Sequence, residues 1–201
     1  MPVTPDILER LQARIPASTP DTPGAVASIA YQCGDEMEAF IVGRQQDVTA
    51  HHATIESRFL VMSITKSLPP SPFCDSLKPA HWNCIGRYHH GCRTFPHASR
   101  ITIRHLLQHT SGLPDYGPLA DYHEAVRRGD RPWTFNEFLE RTNAEELRFQ
   151  PGQGWSYSNI GYMLLRRLLE TVRKRSFAEI ITAGVCRPLN LSHTALVESK
   201  A

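Results

Sequence analysis

FQPGQGWSYSNIGYMLL, residues 149–165, joins two kinds of chain behaviour in one short run. Pro151, Gly152 and Gly154 make its first half a loop, and its second half begins a helical period that continues to Arg175. Ile160, Met163, Leu164, Leu168 and Val172 follow that period, while Arg166, Arg167, Arg173 and Lys174 largely face away. Tyr157 and Asn159 stand where the loop enters the helix. A phenol so placed serves as a general base or relay when nearby cations favour its phenolate, and an asparagine amide orients a carbonyl. The plainer reading is a packed tyrosine beside a helix-capping asparagine.

Upstream, TIRHLLQHTSGL (102–113) predicts a compact helix, capped by Thr102, ended by Gly112 in a left-handed conformation and followed by Pro114. Thr134 and Glu137 form a capping box ahead of Phe135, Phe138 and Leu139, and Ser176 and Glu179 form another for FAEIITAGV. Near the start, GAVASIAYQ and EAFIVGR read as two antiparallel strands separated by the turn-like CGDEM. Residues 6–14 have the spacing of a short amphipathic helix, and a Pro/Thr/Ser linker runs from there to Gly24. Strands then helices, with no internal repeat and no strand pattern near the end, predict an α+β fold.

The second chemically suggestive run is MSITKSLPPSPFC, residues 62–74. Ser63 and Lys66 stand three apart, on one face of a helix. A serine hydroxyl becomes a nucleophile when an adjacent base takes its proton. An amine does so only in a site that favours its neutral form, and the flanking FLVM (59–62) predicts a partly buried position. S-x-x-K alone occurs often by chance and reads equally as a solvated lysine on a surface helix.

SITK at 63–66, ITIRHLLQHTSGLPDY at 101–116 and FQPGQGWSYSNIGYMLL at 149–165 together resemble the serine β-lactamase and penicillin-binding-protein superfamily. The branch resembled is the class C β-lactamase-like one, with its D-alanyl-D-alanine carboxypeptidases, D-aminopeptidases and esterases. The resemblance covers residues 20–67 and 95–197 and keeps the family's order. It implies a β-lactamase/transpeptidase-like fold and acyl transfer on an amide or ester of a small molecule or peptide. Ser63 would be the acylated nucleophile, with its N–H as half of the oxyanion hole. Lys66 and Tyr157 would be the proton-handling pair, and Asn159 would orient the substrate. No metal or organic cofactor is implied.

Two departures accompany the resemblance. The family's third element, a K-T-G or H-x-G strand, is not found before the sequence closes on ALVESKA, so the C-terminal sheet strands are expected to be missing. Thr194 matches a family turn ahead of that sheet. On this reading residues 1–22 are an N-terminal helix and linker, and 23–201 a partial, truncated domain, active or catalytically inert. Residues 68–94, LPPSPFCDSLKPAHWNCIGRYHHGCRT, have neither helical nor strand period, and Pro69 and Pro70 stop helix propagation.

Cys74, His81, Cys84, His89, His90 and Cys92 within that window are zinc-ligand types, but their spacing lacks the paired C-x2-4-C of strong zinc motifs. The genetic code supplies a better account. Triplets read from the third base of one codon into the next give glutamate across Trp82–Asn83 and leucine across His81–Trp82. With permitted codons elsewhere, residues 67–84 yield FTAVAILRLVEAGTLEL, an amphipathic continuation of the SITKS helix. The window is therefore read as an out-of-frame translation between two compensating frame changes.

Bulk properties narrow the setting. The 201 residues are 41% apolar and 21% charged, enough for one sizeable core. A net charge of +2 points away from nucleic acid and anionic membrane as partners. No apolar run suggests a secretory signal or a membrane span. An odd count of five cysteines disfavours a disulfide framework, and the expected location is the cytoplasm.

Overall fold

A computed structural model describes residues 9–10, 26–43, 57–68 and 97–196. The chain forms two units, Met1–Leu60 and Val61–Ala201. In the first, strands β1 (Val26–Cys33) and β2 (Glu36–Gly43) pair antiparallel, with Val26 opposite Gly43 and Cys33 opposite Glu36. That register leaves Gly34 and Asp35 as a two-residue connection. Gly34 sits at φ +64°, which a residue without Cβ adopts at little cost. Pairing thus reaches into the CGDEM segment, taking Cys33, Glu36 and Met37 into the strands. Glu9 and Arg10 are helical, and the remainder of the 6–14 helix lies outside the described residues.

The second unit opens with a 3-10 helix, Met62–Ser67. It continues with α1 (Ile103–Leu107), α2 (Ala120–Arg128), α3 (Phe135–Arg141), α4 (Asn159–Arg173) and α5 (Phe177–Ile181), and a π-helical turn at Thr182–Cys186. Helix α4 is the spine. It buries Ile160, Gly161, Leu164, Leu165, Leu168 and Leu169 against Ile103 and Leu106 of α1 and Phe177, Ile180 and Ile181 of α5. Each of these leucines contributes about 1.5–3 kcal/mol through burial. The buried stripe differs from the predicted one: Met163 and Val172 are only partly covered, and Leu165 and Leu169 take their place. Helices α1, α3 and α5 all pack on α4, so its apolar face is wider than one period suggests.

Helix ends follow local chemistry. Thr102 caps α1 by accepting from the His105 N–H at 3.1 Å, and His105 Nδ1 accepts from the Thr102 N–H at 3.3 Å. Both predicted capping boxes form, Glu137 N–H to Thr134 Oγ1 at 3.3 Å and Glu179 N–H to Ser176 Oγ at 3.2 Å. The predicted end of α1 is corrected. The helix stops at Leu107, where the Thr110 N–H reaches His105 O at 2.8 Å and the His109 N–H reaches Leu106 O at 3.3 Å. These two bonds close the helix in a Schellman cap, with His109 at φ +58° in the left-handed position assigned to Gly112. Gly112, at φ +79°, is needed later in the loop, where a Cβ would lie 2.2 Å from Phe149 O.

Helix α2 has no sequence-level counterpart above, although Gly129 at φ +71° marks its end in the local sequence RRGD. Residues 69–96 lie outside the described residues, and with them almost all of the 68–94 window and the whole Cys/His group. Among the described residues no helix is long and apolar enough to cross a membrane.

Candidate active site

Ser63 and Lys66 occupy one column of the 3-10 helix, because residues i and i+3 eclipse in that geometry. Lys66 Nζ therefore donates to Ser63 Oγ at 2.9 Å. The short helix is stitched by Ile64 N–H to Val61 O at 3.0 Å and Leu68 N–H to Thr65 O at 3.2 Å, and Leu68 packs against the core. The short helix expected to carry Ser63 and Lys66 is thus a six-residue 3-10 helix. Of the partly buried position expected from FLVM, Lys66 is half-buried, but Ser63 is exposed, and so are Phe59, Leu60, Val61 and Met62 themselves. The core is built from later helices, and only Leu68 of this segment reaches it.

Opposite the 3-10 helix, two loops hold the entrance to α4. The segment after α1 and the segment before α4 zip together through Arg148 N–H to Gly112 O at 2.8 Å, Gly152 N–H to Thr110 O at 2.8 Å and Ser156 N–H to His109 O at 3.0 Å. Ser158, not Asn159, caps α4. Its buried hydroxyl accepts from the Gly161 N–H at 3.2 Å and donates to Pro114 O at 2.8 Å. The Asn159 N–H donates to Asp115 Oδ1 at 2.8 Å.

These bonds fix Tyr157 so that its OH lies 2.8 Å from Ser63 Oγ and 3.3 Å from Asn159 Oδ1. With the phenol donating to Asn159, its oxygen is free to accept a hydrogen bond from the Ser63 hydroxyl. All four predicted site residues therefore meet in one hydrogen-bonded chain, Lys66–Ser63–Tyr157–Asn159. Lys66 Nζ also sits 5.2 Å from the Tyr157 ring centroid and 5.7 Å from that of Tyr162. Such a cluster can deprotonate a serine hydroxyl and return the proton to a leaving group.

The residues resemble a known family, and the comparison agrees. The beta-lactamase family model matches residues 81–201. The chain belongs to the beta-lactamase family. The match takes in Tyr157 and Asn159 and begins after Ser63 and Lys66. Penicillin-binding protein 4* of Bacillus subtilis is 38% identical over 105 residues, 50% of this chain and 22% of that protein. Protein flp of Staphylococcus aureus is 30% identical over 99 residues, 49% of this chain and 19% of that protein. A D-stereospecific amidohydrolase from a Streptomyces species superposes with a TM-score of 0.68 at 23% identity, over 85% of this chain and 51% of that one. A penicillin-binding protein from Bacillus halodurans gives the same score and identity, over 87% and 54%. These last two likenesses establish the β-lactamase/transpeptidase fold. The chain spans about a fifth of these two curated relatives and about half of these two solved ones.

Several residues around the site were not singled out from sequence. The His109 ring stacks on Tyr157 at 4.5 Å between centroids, and its Nδ1 accepts from the Ser158 N–H at 3.1 Å. Burial, and then the Lys66 charge, hold the His109 imidazole below its ordinary value, against a smaller upward pull from Asp115. Tyr162, whose OH donates to Leu107 O at 3.2 Å, is raised by burial first and then by Tyr157. Tyr116 is pushed up to about 12, mainly by burial among Tyr122 and Phe138. A glycine-position signal could have located the loop at 109–115, but nothing in the sequence marks His109 as a cap residue.

Proposed function

We propose that this site performs acyl transfer on an amide or ester carbonyl through a Ser63 acyl-enzyme. The observation that carries the reading is Ser63 Oγ placed within 2.9 Å of both Lys66 Nζ and the Tyr157 OH. Ser63 Oγ attacks the carbonyl carbon, and its proton passes to the Lys66–Tyr157 pair. The pair returns that proton to the departing amine or alcohol. Water then attacks the acyl ester with the same pair as base, releasing the acid and restoring Ser63. Asn159 orients the substrate carbonyl, and the Ser63 N–H supplies one oxyanion donor.

Substrates of this reading are small molecules or peptides with an amide or ester bond. The names of the relatives, a penicillin-binding protein and a D-stereospecific amidohydrolase, support amides of the β-lactam or D-amino-acid kind. The second reading is a family chain that keeps the geometry without turnover. The exposure of Ser63 favours it, because a solvated nucleophile loses the electrostatic advantage of a dry site. A fluorophosphonate or fluorescent-penicillin probe separates the two. Covalent labelling that disappears in Ser63→Ala supports the enzyme, and a folded chain that takes no label supports the second reading.

A further inference from the structure

His109 combines a left-handed backbone with a ring set against Tyr157 of the candidate site. At the C′ position of a Schellman cap glycine is the favoured residue, and a non-glycine at φ +58° carries a cost of about 1 kcal/mol. Such a conformation persists where the surrounding structure over-determines it. Here the side chain and carbonyl together surround one residue. His109 O accepts from the Ser156 N–H at 3.0 Å, His109 Nδ1 accepts from the Ser158 N–H at 3.1 Å, and the ring lies against Tyr157 between them, inclined by 28°. The imidazole also lies 5.1 Å from the Tyr162 ring and meets the edge of Trp155 at 6.1 Å. Both residues that flank Tyr157 are thus tied to His109, and the phenol rests on its ring.

We infer that His109 is a positioning residue for Tyr157, acting only as the neutral Nε2–H tautomer, and that its protonation displaces the phenol from Ser63. The tautomer follows from the bond: Nδ1 must keep its lone pair to accept from Ser158. A proton on Nδ1 would set two donors against each other, and the Ser158 bond would be lost.

Among the described residues, the charged and titratable groups facing the ring are Lys66 from the 3-10 helix, Asp115 from the loop after α1, Tyr157 before α4 and Tyr162 on it. His105 lies one turn back on α1. Burial and the Lys66 charge oppose protonation and Asp115 favours it, with the net direction downward. The inference rests on Tyr157 as proton acceptor for its catalytic consequence, and on geometry alone for the coupling between the two rings.

The test separates these two. In the full chain carrying 15N-histidine and 13C-tyrosine, the His109 imidazole at neutral pH should show a bare Nδ1 and a protonated Nε2. As pH falls, the His109 and Tyr157 signals should move together, with a midpoint below the ordinary 6.5. In His109→Asn, which tolerates the left-handed backbone and offers an amide oxygen to Ser158, the acid-driven Tyr157 shift should vanish. Tyr157 signals blind to the His109 titration, or a proton on Nδ1 at neutral pH, would overturn the inference. The catalytic arm uses the fluorophosphonate labelling rate of Ser63, expected to fall roughly tenfold or more in His109→Gly. A purely structural cap predicts the opposite, since glycine suits φ +58° better and the labelling rate would hold. If coupled ring signals appear but Ser63 takes no label in the parent chain, the positioning role stands and the proposed acyl transfer fails.

Discussion

Ser63 Oγ and the Tyr157 OH lie 2.8 Å apart although 94 residues separate them in the chain. Nothing local brings them together. The 3-10 helix presents Ser63 and Lys66 in one column, and the loops 109–115 and 148–158 lock Tyr157 at the mouth of α4. The candidate site is therefore a property of packing between segments, and its weak points are the bonds that hold each segment.

Removing either partner of Ser63 should separate binding from chemistry. Tyr157→Phe and Lys66→Ala are each expected to slow acylation by about 10²–10⁴-fold, the usual span for a positioned proton-transfer group. Thermal stability should change little in Tyr157→Phe, which keeps the ring stacked on His109. Stopped-flow acylation rates beside melting curves check both halves of this expectation.

Ser158→Ala should destabilise the second unit by about 2 kcal/mol. The substitution removes the α4 cap and leaves Pro114 O without the buried hydroxyl that now donates to it. Asp115→Asn retains an acceptor for the Asn159 N–H and should cost less than Asp115→Ala. Urea denaturation of the three variants gives the ranking directly.

Two left-handed glycines make a matched comparison. In Gly112→Ala the new Cβ would meet Phe149 O at 2.2 Å, so the loop pairing with residues 148–152 must open, at a cost above about 2 kcal/mol. Gly129→Ala meets nothing within 4 Å and should cost only the backbone preference, about 1 kcal/mol. Equal losses at the two positions would count against the loop zipper as a structural element.

Stability should fall as pH drops below neutral. Burial holds His105 and His109 below their ordinary 6.5, so the unfolded chain binds more protons than the folded one in that range. Their contribution is complete above 6.5 and is lost as pH falls through the lowered folded values. Glu137, held down by Arg131 and Thr134, and Glu179, held down by the Ser176 N–H, lose theirs only at more acid pH. Melting temperatures measured downward from about pH 8 should therefore decline first through a histidine step, and that step should shrink in a His105→Asn, His109→Asn double variant.

Residues 68–94 carry a prediction about DNA. Their coding sequence, read in the shifted frame, should be open and encode a helical apolar period continuous with SITKS. Stop codons or a patternless product in that frame would remove the out-of-frame reading.

How much of this was legible beforehand depended on range. Capping boxes at Thr134–Glu137 and Ser176–Glu179 need residues only three apart, and the sequence spacing was enough. The long period of α4 marked its helix, although the buried stripe widened once α1, α3 and α5 packed on it. Helix α2 buries only Ala125, so its apolar pattern was weak. His109 was hidden for another reason: inside RHLLQHTSGL it continues a helical pattern, and the left-handed turn there depends on hydrogen bonds that spacing does not encode. The meeting of Ser63 with Tyr157 was legible only through family resemblance, since no periodicity spans 94 residues.

Peptide mapping of the folded chain after fluorophosphonate treatment tests the central claim most directly. The account predicts a single phosphonyl adduct on Ser63, absent in Ser63→Ala and slowed in Tyr157→Phe. An adduct on Ser67 or elsewhere, or a folded chain that remains unmodified, would contradict it.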